Sequence, residues 1–160
     1  MTPEQRELLQ EFQAYATTAT TAQSLMEQMC KRLHEKMTRY NWVGFYLVDP
    51  ADSSQLVVGP FTGSFTPNAR IPFNTGLCGN AATTGKVLVV HDVTKDPRYL
   101  PGSSMVKSEI VVPIFVNKKL EAELDVESYF TDTFTNTEQQ FVEACGNVVA
   151  GYLAKAHPAH

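Results

Sequence analysis

The alternation of hydrophobic and polar residues is clearest in residues 108–128, SEIVVPIFVNKKLEAELDVES. Both halves of this segment alternate with a period of two, which is typical of β-strands with two unlike faces. The Asn-Lys-Lys at 117–119 reads as a short turn between them, so the segment predicts an antiparallel hairpin. A three-residue turn sets the following pairs: Val116 with Leu120, Glu109 with Glu127 and Val111 with Asp125.

One face of this hairpin is predicted to be aliphatic and the other acidic. The aliphatic face comprises Ile110, Val112, Ile114, Val116, Leu120, Ala122, Leu124 and Val126. The acidic face comprises Glu109, Glu121, Glu123, Asp125 and Glu127, around Val111, Pro113 and Phe115. Carboxylates directly across a strand pair repel each other. The acidic face is therefore either solvated, or it is a pocket floor that binds a cation or keeps one carboxyl protonated as a general acid.

Two helices are predicted before the first strand. Thr2, Pro3 and Gln5 form a capping-box start with proline in the first turn, which predicts a helix over 3–15. A second helix over 22–37 carries an apolar stripe with core spacing, which consists of Leu25, Met26, Met29, Cys30, Leu33 and Met37. We therefore interpret Cys30 as a packing residue.

A strand is predicted over 41–48, NWVGFYLV, and a second one over 55–60. In the first strand, Val43, Phe45 and Leu47 share one face and Trp42, Gly44 and Tyr46 share the other. Trp42 and Tyr46 would form an aromatic wall with a gap at Gly44 that suits a small ligand. The alternative is that helices simply cover the aromatic rings.

Cys78 is the cysteine whose position suggests chemistry. Thr75 is a plausible N-cap and Gly85 a plausible C-terminal residue of a short helix, which places Cys78 in its first turn. The free amide groups and the helix dipole there would lower the pKa of the thiol toward a reactive thiolate. A buried and inert cysteine is the alternative. Cys145 lies among apolar residues of the last predicted helix, where core packing is expected.

The order of elements predicts the fold class. A strand over 87–90 and a long loop over 91–107 lead into the hairpin, and a capping box at Thr135 opens a helix to about residue 155. Strands and helices in this order predict an α+β fold with one mainly antiparallel sheet. The N-terminal helices would occupy 1–38, and the sheet with the last helix 41–155. Loops as long as 91–107 often act as functional lids.

Length and composition fit one domain over 1–160. A net charge of −4 without a basic patch argues against nucleic-acid partners. No apolar run approaches the ~20 residues of a membrane span and no signal sequence is seen, so a cytoplasmic protein is expected. Three separated cysteines and four histidines without ligand spacing, two of them in the terminal HPAH, argue against disulfides and metal sites. No cofactor is expected.

Five segments in order resemble one family: NWVGFYLV, LVVGPF, ARIPFNTGLCGNAA, SEIVVPIFVN and LDVES. Together they are similar to the GAF-fold free methionine-(R)-sulfoxide reductases over about 41–153. The resemblance implies a GAF fold with about six strands and a homodimer. It also implies a pocket for a free amino acid, lined by Glu109, Asp125 and Glu127 and walled by Trp42 and Tyr46.

The same resemblance implies three cysteine positions for the redox reaction. By their offsets from the motifs, these positions fall on Asn68, Cys78 and Gly102. Gly102 stands at the position of the nucleophile and Asn68 at that of the resolving cysteine, so only Cys78 is a cysteine. The departure affects the expected activity and leaves the expected fold unchanged.

Three functional hypotheses follow. The favoured one is a GAF module that binds a small molecule such as methionine sulfoxide without the redox chemistry. The second is a free methionine-(R)-sulfoxide reductase in which Cys78 is the sole nucleophile and thioredoxin or another external thiol resolves the sulfenic acid. The third is a dimerisation or scaffold domain whose acidic face binds nothing.

Overall fold

The computed structural model of the chain describes residues 1–156. The terminal HPAH, with two of the four histidines considered above, lies outside the described residues. The helices are α1 Pro3–Ala16, α2 Ala22–Lys36, α3 Gly76–Thr84 and α4 Asn136–Ala156. The strands are β1 Trp42–Asp49, β2 Asp52–Gly63, β3 Arg70–Pro72, β4 Leu88–Val90, β5 Ser108–Val116 and β6 Lys119–Ser128.

The strands form one six-stranded sheet in the order β3-β2-β1-β6-β5-β4. All five neighbouring pairs are antiparallel. The predicted α+β class with a mainly antiparallel sheet of about six strands is therefore confirmed. Within the described part of the chain, we find no helix with the length and apolar character needed to cross a membrane.

The two faces of the sheet carry two separate apolar clusters. Helices α1, α2 and α4 cover one face, where Val43 and Phe45 of β1 are buried with them. Helix α3 and the loops around it cover the other face, where Trp42 and Tyr46 of β1 are buried. The alternation predicted along this strand is confirmed, and it directs one face toward a helical core and the other toward the candidate site. Strand β2 is longer than the predicted 55–60.

The predicted helix starts are largely confirmed. In α1 the Gln5 amide donates to Thr2 Oγ1 at 3.1 Å, and the Thr2 amide donates to Gln5 Oε1 at 2.9 Å, so both bonds of the capping box are present. The Gln5 side chain also donates to Glu138, which ties α1 to the first turn of α4. Helix α3 ends at Gly85 with a φ of 69°, a left-handed conformation that glycine adopts without strain.

The turn of the β5–β6 hairpin is shorter than predicted. It consists of Asn117 and Lys118, both with positive φ (52° and 67°), which is the type of two-residue turn that fits the twist of a hairpin. The structure pairs Val116 with Lys119 and Phe115 with Leu120, so the predicted pairing of Val116 with Leu120 was wrong. Leu120 consequently packs in the same cluster as Trp42, on the face opposite to the predicted one.

A register shift next to the turn restores the predicted register further along the hairpin. The shift lies between the Phe115–Leu120 pair and the Ile114–Ala122 pair, and it leaves Glu121 as the extra residue of β6. On the side of the shift away from the turn, the pairs follow the prediction, including Glu109 with Glu127 and Val111 with Asp125. The acidic residues at the far end of the hairpin are therefore placed as predicted, although the turn was not.

Lys118→Gly is expected to stabilise the protein by about 0.5 kcal/mol. A left-handed conformation costs a side-chain-bearing residue roughly 1–2 kcal/mol, and the greater freedom of glycine in the unfolded chain offsets about half of that gain. Urea unfolding of the variant should give a higher midpoint with an unchanged slope. Lys119→Gly is the control, because Lys119 lies in β6 and glycine weakens a strand. Destabilisation by Lys118→Gly would contradict the argument that the left-handed conformation of Lys118 is strained.

Candidate functional site

A small cavity lies between the acidic face of the hairpin, α3 and two connecting segments. Its lining residues are Tyr46, Phe65, Pro67, Asn68, Ile71, Gly76, Leu77, Cys78, Tyr99, Leu100, Gly102, Glu109, Asp125 and Glu127. The free volume of about 20 Å³ has room for about one water molecule. Tyr99, Leu100 and Gly102 of the predicted lid over 91–107 form part of the wall.

Three carboxyl groups form the floor of the cavity. Glu109 comes from β5, and Asp125 and Glu127 come from β6; their exposed fractions are 4%, 1% and 7%. Glu109 stands directly opposite Glu127, and Asp125 stands opposite Val111. The sheet thus brings together the three acidic residues that the sequence singled out, and it buries them.

The three carboxyls of the floor are strongly coupled acids. Burial, and then the charge of neighbouring carboxyls, raises the pKa of Glu109, Asp125 and Glu127 well above their usual values. Asp125 is hydrogen-bonded to both glutamates, and because ionised carboxylates only accept, these bonds require shared protons. No lysine, arginine or histidine of the described residues lines the cavity. The carboxyls therefore retain protons, and a cationic ligand would relieve the repulsion between their ionised forms.

Glu123 is a fourth buried acid in this region. Its exposed fraction is 0%, and neither carboxyl oxygen accepts a hydrogen bond from a nitrogen or oxygen donor of the described residues. The Cys78 thiol, a weak donor, lies against it. Burial and the nearby Asp125 raise its pKa well above the usual value. The sequence placed Glu123 on the acidic face, but alternation alone gave no signal that this residue would be the most enclosed of the group.

The environment of Cys78 favours the second of the two alternatives for its thiol, a buried cysteine. Cys78 is the third residue of α3, as expected, but it is buried, and Thr75 makes no side-chain bond at the helix start. Burial, followed by the charges of Asp125 and Glu123, raises the pKa of the Cys78 thiol well above its usual value. Desolvation and nearby carboxylates outweigh the dipole of a nine-residue helix.

The other two cysteines lie on the opposite face of the sheet. Cys30 and Cys145 are fully buried in the cluster formed with α1, α2 and α4, and burial raises the pKa of both thiols. The Cys30 thiol donates to the carbonyl oxygen of Pro60 at 3.5 Å. All three cysteines are free. The prediction that Cys30 and Cys145 serve packing is confirmed.

The aromatic residues of β1 occupy two layers. Tyr46 lines the cavity, and its hydroxyl donates to the carbonyl oxygen of Asn68 at 3.1 Å. The indole of Trp42 is fully buried behind the cavity wall and stacks on Phe65, with 5.6 Å between ring centroids. A Cβ at Gly44 would come within 2.3 Å of this indole. The gap expected at Gly44 is therefore filled by the ring of Trp42.

Positions 68 and 102 both belong to the cavity wall. Asn68 contributes the backbone carbonyl that holds Tyr46. A Cβ at Gly102 would lie 2.9 Å from the ring of Phe65, so any larger residue there requires Phe65 to shift. The two positions that the family resemblance assigned to a resolving and a nucleophilic cysteine thus face the same cavity as Cys78, with no thiol at either.

Comparison with known proteins gives concordant matches. The model of the GAF domain matches residues 21–153. Protein YtsP of Bacillus subtilis is 31% identical over 148 residues, which cover 92% of this chain and 90% of that protein. The free methionine-R-sulfoxide reductase of Escherichia coli is 31% identical over 134 residues, which cover 84% and 79%. The structure of the free methionine-R-sulfoxide reductase of Neisseria meningitidis in complex with its substrate superposes with a TM-score of 0.90 at 31% identity and covers 98% of this chain and 92% of that one.

Proposed function

Since the chain belongs to the GAF domain family and, within it, to the group of the free methionine-R-sulfoxide reductases, we propose that it binds a free amino acid without reducing it. The ligand is of the methionine sulfoxide type, and it binds over Glu109, Asp125 and Glu127. The observation that carries this proposal is the buried cluster of three carboxyl groups in a cavity whose described lining contains no basic residue.

The ammonium group of a free amino acid suits this floor. It carries a positive charge and three N–H donors, whereas the carboxylates supply acceptors and negative charge. In a peptide the same nitrogen is an uncharged amide, so the floor favours a free amino acid over a residue in a chain. Tyr46, Phe65, Ile71 and Leu77 give the cavity an apolar side against which a thioether or sulfoxide side chain can pack.

Entry of such a ligand requires the wall to open. The cavity has room for about one water molecule, which is far less than an amino acid needs. Tyr99, Leu100 and Gly102 all come from the loop between β4 and β5, and connecting loops are usually more mobile than the strands that they join. We therefore assign to this loop the role of a lid that opens before the amino acid binds.

The described lining of the cavity lacks the pair of thiols that reduction of a sulfoxide normally uses. A thiolate must attack the sulfoxide sulfur, and a second thiol must then resolve the sulfenic acid. Cys78 is the only cysteine in the described lining, and its thiol has a raised pKa. Cys30 and Cys145 lie on the other side of the sheet. These features support binding without turnover, while the homodimer and the cytoplasmic location remain predictions from the sequence.

Calorimetry with free L-methionine-(R)-sulfoxide and a thioredoxin-coupled turnover assay test the proposal together. We expect saturable binding and no turnover, with the reductase of Escherichia coli as the positive control for the assay. Thiol-dependent turnover that disappears in Cys78→Ser would instead make the protein a one-cysteine reductase. The absence of binding to methionine, methionine sulfoxide and related free amino acids would overturn the proposal and leave the scaffold interpretation.

A further inference from the structure

One thiol and two carboxyl groups converge at the floor of the cavity. The Sγ of Cys78, a carboxyl oxygen of Glu109 and a carboxyl oxygen of Asp125 all lie within 4.8 Å of one another. They come from α3, β5 and β6, and all three residues are buried. Because each element is fixed by the sheet or packed against it, the three groups are held together before any ligand is present.

A second observation points to a missing ligand at this place. Asp125 is 1% exposed, and its Oδ1 has no hydrogen-bond partner among the described residues. An orphaned carboxylate oxygen in a buried position is costly unless a donor or a cation reaches it. The adjoining cavity has room for about one water molecule, and therefore for one ion, without opening of the lid.

The set of donors selects a class of cation. Thiolate and carboxylate ligands together suit Zn²⁺ and similar first-row ions, with bonds of about 2.0–2.3 Å, whereas Mg²⁺ and Ca²⁺ prefer oxygen ligands alone. Three anionic ligands would more than balance a divalent charge, and no basic residue of the described lining competes for them. The donor atoms, which now lie within 4.8 Å of one another, would have to move closer together to reach one ion.

We propose that Cys78, Glu109 and Asp125 form a three-ligand binding site for a divalent first-row metal ion of the Zn²⁺ class. On binding, the S–H bond of Cys78 breaks and a sulfur–metal bond forms, and the thiol proton passes to solvent together with the protons that Glu109 and Asp125 hold. The proposed metal site depends only on the positions of these three side chains, and not on whether an amino acid binds. The metal ion and a free amino acid should compete for the site, because the ion and the ammonium group use the same two carboxylates.

Cobalt(II) is the probe of choice for the test, because a thiolate ligand to cobalt gives a charge-transfer band in the near ultraviolet. The full chain is treated with a chelator, dialysed and titrated with Co²⁺, and bound metal is counted by equilibrium dialysis. We expect one ion per chain with the charge-transfer band. Cys78→Ala should abolish the band, and both Cys78→Ala and Asp125→Asn should weaken binding by about tenfold or more.

Two controls separate this site from the alternatives. Cys145→Ala removes a buried thiol on the other face of the sheet and should leave binding and the band unchanged. Replacement of both terminal histidines, His157 and His160, by alanine removes a rival ligand pair and should likewise change nothing. Circular dichroism shows whether each variant is folded. If Cys78→Ala does not fold, Asp125→Asn still tests the site.

Several outcomes would overturn the proposal. The absence of saturable cobalt binding would do so, as would binding without the charge-transfer band. A band that persists in folded Cys78→Ala, or binding that disappears with the terminal histidines, would place the metal elsewhere. An affinity that Asp125→Asn leaves unchanged would exclude the cluster described above.

Discussion

Asp125→Asn is expected to weaken the binding of free methionine sulfoxide by about 30-fold or more. Asp125 lies between Glu109 and Glu127, is hydrogen-bonded to both and is 1% exposed. Removal of one partner from a buried charge interaction costs roughly 2 kcal/mol or more, and about 1.4 kcal/mol corresponds to a factor of ten in affinity. Calorimetric titration of the wild type and the variant at the same pH measures the change in Kd.

Glu121→Gln is the matched control for this experiment. Glu121 lies in the same strand, but it is the extra residue of the register shift and is not part of the cavity wall. Its replacement should leave the Kd within about twofold, because the side chain is half-buried outside the cavity wall. Equal affinities of the wild type, Asp125→Asn and Glu109→Gln would show that the ligand does not use the acidic floor.

Glu123→Met is expected to stabilise the folded protein at pH 8 by on the order of 1–3 kcal/mol. The substitution removes a fully buried carboxyl that lacks a nitrogen or oxygen donor among the described residues, and methionine fills a similar volume. Urea unfolding in the presence of a chelator measures the free energy of unfolding of the wild type and the variant. Glu121→Met, at a half-buried position of the same strand, is the control and should stabilise the protein less than Glu123→Met does.

The benefit of Glu123→Met should grow with pH. Burial raises the pKa of Glu123 in the folded state above that in the unfolded chain, so the folded protein keeps a proton that the unfolded chain releases. The corresponding stability is complete below the unfolded pKa and is lost as the pH rises through the folded pKa. The two proteins should therefore differ least near pH 5 and most near pH 8. Destabilisation at pH 8 would mean that Glu123 has a strong partner in the fold.

The sequence predicted the sheet and the acidic face because both depend on alternation along single strands. Val43 and Phe45 point one way and Trp42 the other, as their spacing required. The turn was predicted incorrectly because a two-residue turn followed by one extra residue leaves the same register beyond it as a three-residue turn. The pairing of Glu109 with Glu127 is identical in the two cases, so the hydrophobic pattern does not distinguish between them.

The state of Cys78 could not be predicted because its determinants lie elsewhere in the chain. A position in the first turn of a helix is a local property, and it favours a low pKa. The carboxyls of Asp125 and Glu123, which act in the opposite direction, come from β6 and reach the thiol only when the hairpin packs against α3. In the same way, only the tertiary structure shows that the ring of Trp42 occupies the space beside Gly44.

The stacking of Trp42 on Phe65 gives the protein an optical probe of its own. Trp42 is the sole tryptophan of the chain, so its indole dominates the fluorescence emission excited near the red edge of protein absorption. Phe65 contacts this indole with one face and also lines the cavity, where it packs over Gly102 of the loop. Opening of the loop disturbs the ring that shields the indole. Changes in emission wavelength or quenching therefore report movement of the loop in the unlabelled wild-type protein.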